Sequence, residues 1–298
     1  MEGNPLPGDP RDPMPLLHTD PSAFDALRNE LLDRVATGKI EVPLLPQTAS
    51  QVLSACNDST CDSKQLADLI QRDPSLAGHV LSVANSAAYA PRDPIVSLSQ
   101  AISRLGFRVI CEIALAVALK GKVFSVPGRE ARVRTMWAHC ACAGAWAKEI
   151  ARARRKNVEG AFLCGLLHDV GQPAVMQASL ELFGKHKRGV SDDVVDAWTI
   201  EFHASVGALM LQRWNFPEWM SAAVRHHHAP ENAGQHVEHA QTAQIADLLA
   251  HASTQPDPAA DAVLAQHPAL SDLGIYADEF QALLDRREKV LELAKAFQ

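Results

Sequence analysis

The chain has 298 residues, 47% of them hydrophobic, and a formal net charge of −7. That length and apolar content suffice for one large domain or two ordinary ones with a substantial core, and exclude a globally disordered chain. The acidic balance argues against a general nucleic-acid binder, whose footprint is a basic excess, so no direct nucleic-acid partner is expected.

Residues 1–21 contain Pro5, Pro7, Pro10, Pro13, Pro15 and Pro21. That density forbids a helix and predicts an extended, flexible arm. No basic stretch followed by an apolar one opens the chain, and no apolar run approaches the ~18–20 residues of a membrane span. A cytoplasmic protein without membrane attachment is therefore expected. Ser22 is the candidate cap of a first helix, whose stripe is Leu27, Leu31, Leu32 and Val35. Gly38 ends it, and Pro43 to Pro46 make a stiff connection. Apolar spacing and caps predict further helices at about 47–57, 63–72, 75–88, 98–104 and 106–120. Asp62 and Asp73-Pro74 stand where N-caps belong.

A second half starts near Glu130. Helices are predicted at about 130–154, 157–168, 173–184, 191–201, 203–214, 217–228, 238–253 and 277–296. Pro256, Pro258, Pro268 and Gly274 make the segment 255–275 loops and short helices. No period-2 strand of useful length occurs, so the fold class is all-α.

The six cysteines, at 56, 61, 111, 140, 142 and 164, form no Cys-x-x-Cys pair. They read as reduced core residues of a cytosolic protein. Cys140 and Cys142 flank no shared helix face, because residues two apart point to different sides.

Ten of the thirteen histidines lie between residues 139 and 251. The ordered candidates are His139, His168-Asp169, His203, His226-His227-His228 and Asp247, each on or at the end of a predicted helix. Singly, each has an ordinary explanation. His139 follows Trp137 and suits a satisfied core position. His203 fits a helix start, and the triple histidine suits a helix C-terminus. Asp247 sits among Ile245, Ala246, Leu248 and Leu249, where a carboxylate is costly unless paired. Together they are imidazoles and carboxylates that helices can converge on one point inside a bundle, the chemistry of a divalent transition-metal site. A carboxylate such as Asp169 can bridge two ions.

These residues in this order resemble the HD superfamily of metal-dependent phosphohydrolases, whose pattern is H…HD…H…H…D. More closely, the chain resembles the HDOD family, the HD-related output domains of bacterial signalling proteins. In the first half the likeness rests on Leu45-Pro46-Gln47, Asp73-Pro74-Ser75-Leu76, Ala84-Asn85-Ser86-Ala87-Ala88-Tyr89 and Ile102-Ser103-Arg104-Leu105-Gly106. In the second it rests on Gly165 to Gly171, His203 to Ala208, Trp214-Asn215-Phe216-Pro217 and His227-His228-Ala229-Pro230. The resemblance implies a two-lobed all-helical fold: an N-terminal helical lobe over 22–129 and an HD-like helical bundle over 130–298. It implies metal ligands at His139, His168, Asp169, His203, His227, His228 and Asp247. One or two divalent ions of iron, manganese, zinc or nickel are the implied cofactor.

Two departures concern catalysis. Related phosphodiesterases that open cyclic di-GMP read His-Asp-x-Gly-Lys, whereas Gln172 stands at the lysine position; Lys185 or Lys187 is the nearest possible substitute. Glutamine keeps hydrogen bonding but loses the point charge that holds a phosphate. The Gly-Tyr-Pro that follows the paired histidines in those enzymes is replaced by Ala229-Pro230-Glu231-Asn232-Ala233-Gly234. The expected function is therefore a bacterial signal-transduction module with a metal site, acting on signalling protein partners without turnover. The alternative is a metal-dependent phosphohydrolase or cyclic (di)nucleotide phosphodiesterase, with Asp169 as its catalytic residue and a cyclic nucleotide as ligand. Arg152-Ala153-Arg154-Arg155-Lys156 reads as a solvated helix end, or else as a dock for an acidic partner or a phosphate.

Overall fold

The computed structural model describes residues 21–123, 125–187, 189–254 and 257–297. The flexible arm expected over residues 1–21 lies, but for Pro21, outside the described residues. Pro21 opens the first helix, α1 (Pro21–Ala36), a position where the missing N–H costs nothing. The first half continues with α2 (Gln47–Asn57), α3 (Ser63–Gln71), α4 (Pro74–Ala84), α5 (Leu98–Leu105) and α6 (Phe107–Val123). Then come α7 (Glu130–Ala153), α8 (Val158–Leu167), α9 (Gly171–Lys185), α10 (Asp192–Arg213) and α11 (Glu218–His226). A 3-10 stretch (Pro230–His236) leads into α12 (Val237–Thr254). The chain closes with α13 (Pro258–Leu264), α14 (Pro268–Asp272), α15 (Ala277–Leu284) and α16 (Arg287–Ala296). No strand occurs among the described residues, so the protein is all-α.

The capping chemistry sets several boundaries. Asp62 accepts the Gln65 N–H while the Gln65 side chain returns to the Asp62 N–H, a reciprocal box that starts α3. Asp73 accepts from the Ser75 and Leu76 N–H groups ahead of α4. Two expectations are corrected. The helices anticipated at 191–201 and 203–214 are one, α10, because nothing breaks the chain until Asn215 takes a left-handed φ of 58°. The helix anticipated over 277–296 is two, and the bend at Asp285–Arg286 carries Arg286 onto Glu149 at 2.7 Å and Arg287 onto Asp261 at 2.6 Å.

By length and composition α10 could cross a membrane, yet 56% of its apolar window is buried within the fold. Val195, Trp198, Phe202, Val206, Met210 and Leu211 are all buried, as a core helix requires. Helix α1 docks on α9 and α10 rather than on the other first-half helices. Phe24 packs on Trp198, Arg28 pairs with Glu201, and the Trp214 indole N–H reaches the Pro43 carbonyl at 3.0 Å.

Small residues bring the central helices together. A Cβ on Gly165 would collide with the Ala143 carbonyl of α7, and one on Gly171 would overlap the His203 carbonyl of α10. Glycine at these two positions lets α7 pack on α8, and α9 on α10, backbone to backbone. Between α6 and α7, Lys148 Nζ donates to both carboxylate oxygens of Glu112, at 2.6 and 2.8 Å, with both side chains buried.

One further sequence reading changes. Cys56 and Cys111 are disulfide-bonded, with Cα atoms 6.0 Å apart, because the end of α2 lies against α6. Cys61, Cys140, Cys142 and Cys164 are free thiols. The basic run is the exposed helix end the sequence suggested, with Arg154 alone half-buried; Arg152 pairs with Glu149, Arg154 with Glu238 and the Leu273 carbonyl, and Lys156 with Glu238. Asn85 holds the following loop, accepting the Ile95 N–H at 2.7 Å and donating to the Ile95 carbonyl at 2.8 Å.

Candidate metal centre

Five helices deliver the candidate ligands to one buried point. His139 is at mid-α7 and His203 at mid-α10; Asp247 is on α12. His168 and Asp169 follow the last turn of α8, and His227 and His228 follow α11. All seven residues read as ligands from the sequence meet here. His168, Asp169, His203, His227 and Asp247 are buried, whereas His228 is exposed at the rim. His226, the first of the triple, is not drawn in and sits half-buried.

Two carboxylates organise the imidazoles. Asp169 Oδ1 lies 3.2 Å from His203 Nε2 and 3.8 Å from His227 Nε2, while its Oδ2 lies 3.3 Å from His168 Nε2. Asp247 Oδ1 lies 2.9 Å from His139 Nε2 and 3.6 Å from His168 Nε2. His203 Nε2 is 3.1 Å from His228 Nε2 and 3.4 Å from His227 Nε2. Within each of the sets His203–His227–His228 and His139–His168–Asp247, potential ligand atoms lie within 4.8 Å of one another.

The backbone fixes which nitrogen faces the centre. His168 Nδ1 meets the Gly165 carbonyl at 2.7 Å, and His227 Nδ1 meets the Val224 carbonyl at 2.7 Å. His203 Nδ1 meets the Thr199 and Ile200 carbonyls at 2.9 and 2.8 Å. A carbonyl only accepts, so each Nδ1 carries the proton and donates it. Each neutral ring then turns a bare Nε2 lone pair inward. Those lone pairs face one another and carboxylate oxygens, acceptor against acceptor. His168 Nε2 is buried with no hydrogen-bond partner at all, a costly condition. Only a cation relieves it, either a proton or a metal ion, and the donor set is that of a transition ion.

Charge shifts follow from the same crowding. Burial opposes ionisation of Asp169 and Asp247, but the surrounding imidazoles outweigh it and hold both carboxyls well below the usual range. Burial and the His168 charge push the His227 imidazole down to about 3. Burial opposes charge on His168 too, yet Asp169 and Asp247 raise it well above the ordinary imidazole value. The same two carboxylates thus favour a cation at His168, as they would favour a metal ion.

Three neighbours complete the centre. The Gln172 amide donates to Asp169 Oδ2. Lys185 does not substitute for the missing lysine: it ends α9, roughly 20 Å along that helix from Gly171 at 1.5 Å per residue, and lies 3.9 Å from Glu30. Lys187 lies beyond the same helix end. His251 was missed by sequence reasoning. Its Nε2 lies 3.3 Å from Asp247 Oδ1, and its ring stacks beside His139 with centroids 4.3 Å apart. The available signal was its position four residues after Asp247, on the same helix face. Cys140 is buried beside Asp169 while Cys142 meets Ser253, so the two do point apart.

Fold and centre define a class: an all-helical protein with a buried histidine–carboxylate cluster. Comparison with known proteins makes it specific. The HDOD domain profile matches residues 42–230, and the chain belongs to the HDOD domain family. A protein of Treponema pallidum (strain Nichols) is 27% identical over 203 residues, which span 64% of this chain and 39% of that relative. The chain thus covers well under half of that relative's length.

Solved structures share the fold. A presumed metal-dependent phosphohydrolase from Shewanella amazonensis SB2B superposes with a TM-score of 0.72 at 19% identity, covering 93% of this chain and 100% of that one. An HDOD domain protein from Geobacter sulfurreducens gives 0.68 at 22% identity, covering 93% and 98%. A presumed signal transduction protein from Marinobacter aquaeolei VT8 gives 0.59 at 22% identity, covering 92% and 66%.

Proposed function

We propose that the chain is a regulatory module of bacterial signalling that holds a metal centre and acts by binding a protein partner, without turnover. The observation that carries the metal centre is the convergence of Nε2 lone pairs whose protons are held away on Nδ1 by backbone carbonyls. His139, His168, Asp169, His203, His227, His228 and Asp247 would hold one or two divalent ions of iron, manganese, zinc or nickel. A bound ion would supply Lewis acidity and an acidified water. The protein's own part is orientation: carbonyl clamps fix three rings, and Asp169 stands between the two histidine groups.

Absence of turnover is argued from Gln172. Its neutral amide is spent on Asp169 Oδ2, and it offers no point charge to hold a phosphate. The metal centre then serves to fasten α7, α8, α10, α11 and α12, so that occupancy sets the shape of the surface a partner reads. The test is to load the protein with iron, manganese, zinc or nickel and to assay a generic phosphodiester and cyclic dinucleotides. Metal without turnover, together with metal-dependent recovery of a signalling protein in a pull-down, is expected.

The second reading is a metal-dependent phosphohydrolase or cyclic (di)nucleotide phosphodiesterase. The placement of Asp169, one oxygen toward His203 and the other toward His168, favours it, because a two-ion hydrolase needs such a bridge. Turnover that disappears in Asp169→Ala would establish this reading instead.

A further inference from the structure

We infer that His251 is a metal ligand, the third imidazole of an ion position centred on Asp247, so that the centre holds two ions in matched sets of three histidines and one aspartate. The inference rests on the metal-centre reading above and adds a donor outside the set legible in the sequence.

Three Nε2 atoms converge on a single oxygen, Asp247 Oδ1: His139 at 2.9 Å, His251 at 3.3 Å and His168 at 3.6 Å. A carboxylate oxygen offers about two lone-pair sites, so three hydrogen bonds to one oxygen overfill it. His168 Nε2 is the one left without a partner although buried. Three nitrogens and a carboxylate oxygen gathered in this way are four donors for one cation. The stacked rings of His139 and His251, tilted by 36°, keep both Nε2 atoms on that oxygen.

The other side of the centre shows the same composition. There His203, His227 and His228 gather, with Asp169 Oδ1 3.2 Å from His203 and 3.8 Å from His227. With Asp169 counted on the other side, the Asp247 side has three donors without His251, one short of the four a closed tetrahedral site uses. With it, both sides have four, and Asp169 Oδ2, 3.3 Å from His168 Nε2, faces the Asp247 side as a bridge. The His251 side chain is 68% exposed, so it stands at the mouth, as does the exposed His228 on the other side. Each position then has buried donors and one rim imidazole through which an ion enters and leaves. Nitrogen-rich sets of this kind suit zinc, iron(II), cobalt(II) or nickel, and are poor for magnesium or calcium, which want oxygen.

The experiment uses the full chain loaded with zinc(II) or, in parallel, cobalt(II). Metal per chain is counted after gel filtration, and release to a chelator is timed. The variants are His251→Ala, His251→Gln and, as an exposed control on α4, His79→Ala. Glutamine retains a hydrogen-bond donor for Asp247 but is a poor donor to these ions, which separates ligation from hydrogen bonding. Two ions are expected in the wild type and in His79→Ala. His251→Ala and His251→Gln are expected to hold one, with a changed cobalt absorption spectrum and unchanged helical circular dichroism. Two ions in every protein with the same release time would overturn the role of His251 and leave the metal centre standing. A wild type that holds no ion would overturn the metal-centre reading and this inference with it.

Discussion

Two polar clusters are buried around α7, and they are built on opposite principles. Glu112 and Lys148 form a closed pair: the ammonium donates to both carboxylate oxygens, and the Phe162 ring centroid lies 5.3 Å from Nζ. Burial pushes the Glu112 carboxyl up, and Lys148 pulls it back. Nine residues before Lys148 on the same helix, His139 opens onto a cluster with two carboxylates and too many acceptors. The first cluster is complete as protein and is structural. The second has acceptors its own donors do not meet, and on the function proposed above a metal ion completes it. Burying polar groups therefore says little by itself; whether donors and acceptors balance says what the cluster is for.

Breaking the closed pair should produce the largest loss of stability. Lys148→Met leaves Glu112 buried and uncompensated, at a cost of about 3–5 kcal/mol. Denaturant unfolding should show that loss while metal content per folded chain stays unchanged. Forcing the helices apart comes next. Gly165→Val pushes a side chain into the Ala143 carbonyl, for about 1–3 kcal/mol, and should weaken metal retention as well, because α8 carries His168 and Asp169.

Titration of the metal-free protein sharpens the contrast by a smaller amount. His227 has a folded value near 3, so between pH 6.5 and 3 the unfolded chain binds a proton that the folded one refuses. Stability then falls as pH falls, by up to about 1.4 kcal/mol per pH unit. His168 has the opposite sign. Its folded value is raised, so its contribution is full below pH 6.5 and is lost as pH rises through the folded value. The metal-free protein should thus melt at its highest temperature near pH 6.5, and added metal should move that maximum upward in pH by replacing the His168 proton. A melting temperature that rises steadily from pH 6.5 to 8 without metal would contradict this. The smallest effect is expected for Gln172→Ala, within about 0.5 kcal/mol of the parent; its readout is metal affinity, since it frees Asp169 Oδ2.

Much of this was legible in the sequence because it is local. Asp62 and Asp73 announce helix starts by their own capping chemistry, and the order of histidines and aspartates picks out side chains that the fold brings together. What was not legible depends on where helices land. The amphipathic stripe of α1 does not say that it packs on α9 and α10. Cys56 and Cys111 are 55 residues apart, and nothing in their spacing pairs them. Arg154 and Lys156 read as part of a solvated helix end, and their spacing does not say that Glu238 of α12 stands beside them. His251 needed both Asp247 on its own helix and His139 from another before it meant anything. Gln172 was noticed as a missing charge, and the structure adds that its amide is already committed to Asp169.

The central claim is that the histidine–carboxylate cluster is completed by a metal ion. The most direct measurement is elemental analysis of the protein purified without added metal or chelator, beside Asp169→Ala. Near-stoichiometric transition metal in the parent, lost in a variant that still folds, is the predicted result. No metal in either protein, with both folded and the parent unable to take up iron, manganese, zinc or nickel, would contradict the account.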